Sequence, residues 1–332
     1  MNDEVCVHMM SRVVQKRFLI DEDGMGEMRR ILRTQAAFAG LDVITFCFLK
    51  NHFHILVHLD PEKARGAVSD EELIRRFRAL YGSKRSPSLG VDAEELEAVF
   101  ERHEERAETL RRKMLARMGD VSVFMKELKT RFTFWYNETY HTVGTFWAER
   151  FRSVLVEPGS LALKAVAAYI DLNAVRAGLA ETPQGYRFCG LGEAAVGETR
   201  AQGAYAWLVR GGRGRSPGII AERAAYADYV DHVNRIVERL HKERTVRLSA
   251  GAGKKDADQD CIVEESAVNY GYTGAGGAVG TATWIDRLCA ADGPFGFLRS
   301  AKAKALSSVA DSEIYAVKRP AQSSGAVRER MT

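Results

Sequence analysis

Two apolar runs, Val43 to Leu49 and His52 to Leu59, have only Lys50 and Asn51 between them. Two residues are the length of a tight hairpin turn, and strands joined that way pair antiparallel. A β-hairpin is therefore the first constraint on the fold, with Asn51 tolerating the positive φ that such a turn asks for. On its second strand His52, Phe53, His54, Ile55, Leu56, Val57 and His58 alternate. His52 and His54 then share one face, while Phe53, Ile55 and Val57 share the other, which is expected to meet helices.

The flanking segments extend this unit. Val5 to Val14 reads as a strand, and an amphipathic helix follows the polar turn at Asp21, Asp23 and Gly24 and stops at Gly40. After the hairpin, Ser69-Asp70-Glu71-Glu72 has the capping-box spacing and opens a helix through Leu73, Phe77 and Leu80. The charge-dense residues 83–119 carry Leu96, Val99, Leu110 and Met114 and read as a solvated helical insertion. A helix with Phe124, Leu128, Phe132 and Trp135 comes next, then a strand from Phe151 to Val156. Ser160 opens a helix carrying Leu163, Val166, Ala167 and Ile170, which ends at Gly178. This order predicts an α+β fold, an antiparallel sheet with helices packed on one face.

Three regions are expected: a catalytic-type domain at 1–195, a basic helical extension at 196–248 and a Gly/Ala/Ser-rich region at 249–332. The second has a helix with Tyr226, Tyr229, Val233, Ile236 and Leu240 at helical spacing, preceded by Arg210, Arg213 and Arg215 as an auxiliary anion contact or a solvated basic face. The third has few periodic apolar faces, so an irregular, poorly ordered segment is expected. The net charge of +4 neither demands nor excludes an anionic partner. Five scattered cysteines suit neither a disulfide framework nor a thiolate zinc site. No apolar run approaches a bilayer span and none precedes the first helix, so a cytoplasmic location with no membrane partner is expected.

Chemistry is concentrated in two places. Imidazoles two residues apart on a strand are roughly 7 Å apart at the backbone, so both can reach one divalent ion. An isolated His-x-His is commonly just a polar strand face; here it follows a hairpin turn directly in a βαββ context. On the helix after Ser160, Tyr169, Asn173 and Arg176 are spaced four and three apart and share a polar face. A phenol can attack phosphorus, an amide oxygen can complete a metal site, and a guanidinium can hold a phosphate. By spacing alone the same residues are an ordinary polar helix end.

Four segments in this order resemble the REP-associated tyrosine transposases, a family with an HUH histidine pair and one nucleophilic tyrosine. They are Leu49-Lys50-Asn51-His52-Phe53-His54-Ile55-Leu56-Val57; Arg131-Phe132-Thr133 with Trp135-Tyr136-Asn137; Gly144-Thr145-Phe146-Trp147 through Arg150-Phe151 to Val156-Glu157; and Tyr169 through Leu179. The resemblance covers residues 5 to 190 and implies a ferredoxin-like sheet. It implies His52, His54 and Asn173 as ligands of magnesium or manganese and Tyr169 as the nucleophile, forming a 5′-phosphotyrosine with single-stranded DNA beside a hairpin. Ala174 stands where the family usually has proline, and as the better helix former it lets the tyrosine helix continue. The insertion at 83–119 is the other departure.

A DNA substrate would be met by Arg131, Trp135, Tyr136, Trp147, Arg150, Arg152 and Arg176, with Tyr140 and Phe146 as further stacking candidates, although at least half of these aromatics are expected in the core. Such a partner implies association with the nucleoid, and the family includes both monomers and homodimers. Two other readings stay open. One is a non-catalytic binder of palindromic repeat DNA that retains the transposase fold, and the other an unrelated metal hydrolase or nucleotidyl transferase using His-x-His.

Overall fold

The computed structural model describes residues 4–66, 68–102, 105–211, 219–249, 277–281, 283–285, 304–305 and 315–318. In chain order the elements are β1 (Val5–Arg12), α1 (Glu22–Ala39), β2 (Asp42–Phe48), β3 (His52–Leu59), α2 (Pro61–Arg65), α3 (Asp70–Tyr81), α4 (Ala93–Glu101), α5 (Glu105–Leu115), α6 (Val121–Thr139) and β4 (Arg152–Val156). Then come α7 (Leu161–Asp171), α8 (Asn173–Arg176), α9 (Gly190–Ala195), α10 (Thr199–Val209), α11 (Ile219–Ser249), β5 (Gly277–Gly280), β6 (Lys304–Ala305) and β7 (Tyr315–Lys318). The class is α+β, and no described helix is long and apolar enough to cross a membrane.

The strands lie in the order β2-β3-β1-β4-β5-β7-β6. The first four form an antiparallel sheet with β3 and β1 at its centre. β5 pairs parallel to β4 and antiparallel to β7, which also pairs with β6. Most of the region after 249 lies outside the described residues, and three of its described segments, 277–280, 304–305 and 315–318, add strands to the sheet. Arg213 and Arg215 lie outside the described residues.

Local signals act where short-range chemistry decides them. Gly40 ends α1 in the left-handed conformation, φ 69°, which costs glycine no Cβ clash. Ser69 accepts from the Glu72 N–H and Ser160 from the Leu163 N–H, capping α3 and α7. The hairpin closes differently from expectation. Asn51 is not among the positive-φ residues; its carbonyl instead accepts from the Val13 N–H at 2.8 Å and its amide donates to the Lys16 carbonyl. The turn is thus held by the chain leaving β1.

Both faces of the sheet are covered, which corrects the expectation of helices on one face only. Phe53 and Phe46 point toward α1 and α6: the Phe53 ring meets Trp147 at 5.3 Å, and Arg33 of α1 lies over Phe46. On the opposite face Thr45 donates to the Asp171 carboxylate of α7 at 2.5 Å and accepts from the Tyr205 hydroxyl of α10. Asp171 also accepts from Tyr229 of α11 at 2.6 Å. Tyr205, Leu208, Tyr229 and Val233 belong to the same apolar cluster as the sheet, so α10 and α11 form a layer of the core rather than a separate extension.

The insertion at 83–119 is likewise packed, not solvated. Leu96, Val99, Phe100, Leu110 and Met114 gather with Phe38, Leu73 and Phe77 into a second hydrophobic core between α1, α3, α4 and α5. Its charge density hid this, because long Arg and Glu side chains outnumber the apolar stripe they flank. Arg117 fastens its end to α6 by a two-pronged pair with Glu127 at 2.8 and 2.9 Å, the planar guanidinium matching the carboxylate.

Candidate active site

β1 lies between β3 and β4, and the register decides which side chains meet. Met10 is opposite His54 on one side and Arg152 on the other, Arg12 is opposite His52, and His8 is opposite Leu56. Period-two alternation then puts His8, Arg12, His52 and His54 on one face. It is the face that α7 covers. The His54 and Tyr169 rings meet edge-on with centroids 5.6 Å apart, and His52 and His54 are 5.2 Å apart. His8 stacks on His54 at 5.1 Å and stands 6.3 Å from Tyr169. Arg176 lies over the Tyr169 ring, its guanidinium carbon 5.1 Å from the centroid.

The histidines have defined hydrogen bonds. His52 Nδ1 meets Asn51 Oδ1 at 2.6 Å; since an amide oxygen only accepts, Nδ1 carries the proton and Nε2 the lone pair. His54 Nδ1 meets His8 Nε2 at 2.9 Å; with His54 as the donor of that bond, its Nε2 holds the lone pair that a metal would use. Burial pushes the His52 pKa down to about 4, with Arg12 adding to the effect. Burial also lowers that of His54 well below the ordinary imidazole value, helped by His8, His52, Arg12 and Arg176. Both rings are therefore neutral at physiological pH, the state in which imidazole ligates a metal.

Tyr169 is placed by a helix that stops just after it. The Asn173 side-chain N–H donates to the Tyr169 carbonyl at 2.8 Å and to the Ile170 carbonyl at 3.3 Å. That amide takes the acceptor a continuing helix would use for the Asn173 backbone N–H. α7 thus ends at Asp171 and α8 begins at Asn173; the continuous helix expected from Ala174 does not form. Burial raises the Tyr169 pKa, and the charges of Arg176 and Arg12 oppose that rise.

The donor set fits a divalent cation in part. Two neutral imidazoles with their second nitrogens engaged make a preformed pair, better suited to manganese or a later transition metal than to magnesium, which prefers oxygen. Among the described residues no group of three His, Cys, Asp or Glu forms a metal site, so further donors must be amide or water oxygens. Asn173 has its nitrogen committed to helix carbonyls, which leaves Oδ1 as its only ligating atom.

The other candidates separate by face. Trp147, Tyr136 and Trp135 pack around Phe132 on the side of the sheet away from the histidines. Trp147 and Tyr136 are buried, as is Phe146, while Trp135 and Tyr140 are partly so. Arg131 lies over the Tyr81 ring, beside the second core. Arg150 is exposed, and Arg152, on the histidine face of β4, pairs with Glu149. Sequence reasoning missed His8 and Arg12. Their alternation along β1 was visible, but their position beside His52 and His54 depends on strand register. Comparison of the chain with protein-family models and with curated proteins gives no match.

Proposed function

We propose that the protein is a single-tyrosine DNA strand transferase of the HUH type, related to the REP-associated tyrosine transposases that its motifs resemble. The observation that carries this reading is the edge-on meeting of Tyr169 with His54, which in turn meets His52, with Arg176 over the phenol ring. In the same reading the sheet is ferredoxin-like. Its support is the strand order β2-β3-β1-β4 together with the helical crossovers from β1 to β2 and from β3 to β4.

His52 and His54, with Asn173 Oδ1, would hold manganese or magnesium, which would supply Lewis-acid polarisation of the scissile phosphate. The chain's own residues supply the rest. Tyr169 is the nucleophile: the phenol proton leaves to solvent, its oxygen bonds to phosphorus, the bond to the 3′ oxygen breaks, and that oxygen takes a proton from solvent. The products are a 5′-phosphotyrosine and a free 3′-hydroxyl. Attack by another 3′-hydroxyl reverses the step, because the ester bond is conserved in the covalent intermediate. Arg12 and Arg176 favour the phenolate over the phenol and attract the phosphate that it attacks.

The test is incubation of the full chain with single-stranded hairpin DNA and manganese, followed by denaturing electrophoresis. A covalent adduct is expected from the wild type and none from Tyr169→Phe, which should still bind the DNA. An adduct persisting in Tyr169→Phe moves the nucleophile elsewhere. Tight hairpin binding without any adduct favours the non-catalytic binder.

A further inference from the structure

We propose that the groove between α1 and α10 is a second phosphate site, which takes backbone phosphates of the single-stranded DNA whose cleavage is assigned to Tyr169; it rests on that functional reading. A cavity of about 690 Å³ lies there, lined by Arg29, Arg30, Arg33 and Arg200 with Glu193 and Glu198; Arg30 is paired with Glu27, and Arg29 and Arg33 share Glu193, so the lining keeps a net positive charge centred on Arg200. None of Tyr169, His52 and His54 lines it.

Arg33 and Arg200 stand at the two sides of the groove. Arg33 pairs with Glu193 through Nη2, yet its Nη1 is buried with no hydrogen-bond partner. That nitrogen is turned to the protein, with the guanidinium over the Phe46 ring, so Arg33 offers the groove its charge rather than this donor. Arg200 is exposed and makes no ion pair or hydrogen bond among the described residues. It sits in the first turn of α10, whose N-cap Glu198 makes no side-chain cap, so the positive end of that helix adds to the guanidinium charge.

The shape points to a polymer rather than a lone anion. Arg33 and Arg200 also line an adjoining cavity of about 390 Å³, whose wall includes Trp207. The Trp207 ring packs on His58 at 4.6 Å. This second cavity also holds Lys63, Arg75 and Arg76, paired with Asp42 and Glu72; cationic groups leading to an aromatic wall are what successive phosphates and a base of single-stranded nucleic acid require.

The experiment is fluorescence anisotropy of a labelled hairpin oligonucleotide with a single-stranded flank, on the full chain in EDTA, across a sodium chloride series. Arg200→Gln should weaken binding about fivefold to tenfold and reduce the slope of log affinity against log salt by about 0.7, the loss of one single-strand phosphate contact. Arg33→Gln should do the same, with circular dichroism confirming that it folds. Arg200→Gln guards against misfolding, because its side chain is exposed. Wild-type affinity and slope in a folded Arg200→Gln would overturn the proposal. Equal competition by inorganic phosphate and by oligonucleotides of every length would overturn it too, making the groove a free-phosphate site. Covalent adduct formation at saturating DNA reports separately on Tyr169: a groove that binds DNA in a wild type forming no adduct keeps this site and removes the transferase.

Discussion

His8 Nε2 lies 2.9 Å from His54 Nδ1, so a strand outside the hairpin orients the imidazole that faces Tyr169. Ligating histidines are commonly held through their second nitrogen, and loss of that partner typically costs about 10-fold to 100-fold in metal affinity. His8→Phe should therefore weaken manganese binding by that order while leaving both proposed ligands in place. His8→Asn, which can still hydrogen-bond, should recover part of it. Electron paramagnetic resonance titration of manganese reads both variants, and unchanged affinity in His8→Phe would remove the orienting role.

Arg176 covers the Tyr169 ring and opposes the rise that burial imposes on the phenol pKa. Its removal leaves the burial effect less opposed and takes away a phosphate contact. Arg176→Met should slow adduct formation by about 100-fold, the size of effect seen when one preorganised charge-stabilising donor is lost. Arg176→Lys should be intermediate, since an ammonium keeps the charge without the planar fork. Single-turnover rates at saturating hairpin DNA and manganese measure this, and a wild-type rate in Arg176→Met would exclude the arginine from the reaction.

Asp171 is wholly buried, and burial raises its pKa to about 6 against hydrogen bonds from Thr45, Tyr229 and Tyr205 that lower it. An acid whose folded pKa lies above its unfolded value binds protons more tightly when folded. Its stabilising contribution is thus full below about pH 4 and disappears as pH rises through about 6, a difference of about 3 kcal/mol. Other carboxylates titrate in the same range, so the comparison is with Asp171→Asn. Thermal melts from pH 4 to 7 should show the wild type losing stability relative to that variant, and parallel curves would contradict the raised pKa.

The parts of this molecule legible in sequence are those decided within a few residues. The β2–β3 hairpin, the stop at Gly40 and the caps at Ser69 and Ser160 each follow from local hydrogen bonding or backbone sterics. His52, His54 and Tyr169 were found because two periodicities, two on a strand and 3.6 on a helix, put polar groups on single faces. What escaped depends on contacts distant in sequence. His8 joins the site through the β1–β3 register, and Asn51 is turned by the Val13 N–H rather than by positive φ. Asn173 breaks its own helix with a side-chain hydrogen bond that no propensity scale carries.

Gly190 sits against the same buried network that anchors the tyrosine helix. A Cβ there would lie 2.4 Å from Thr45 Oγ1 and 2.9 Å from the Tyr205 hydroxyl. Both oxygens are held by Asp171, so neither can give way without breaking a buried hydrogen bond. Gly190→Ala should destabilise the fold by about 1 to 3 kcal/mol through overpacking, and it should displace α7 and so slow adduct formation. Urea unfolding gives the first quantity and single-turnover assays the second; a midpoint equal to the wild type would show that the network tolerates the added methyl.

The insertion offers the clearest contrast between charge pattern and packing. Leu96 is fully buried in the second core with Phe77 and Phe38, whereas a solvated arm would leave it on an exposed helix stripe. Leu96→Ala should cost about 2 to 5 kcal/mol, the transfer energy of the lost carbons plus the cavity they leave; on a solvated arm the change would fall within about 0.5 kcal/mol. Since Phe38 belongs to α1, which packs on the main sheet, the loss should appear in the cooperative unfolding of the whole α1 layer. Hydrogen exchange on α1 and α3 distinguishes the cases: faster exchange in both helices is expected, and an effect confined to residues 93–115 would mean that the insertion unfolds on its own.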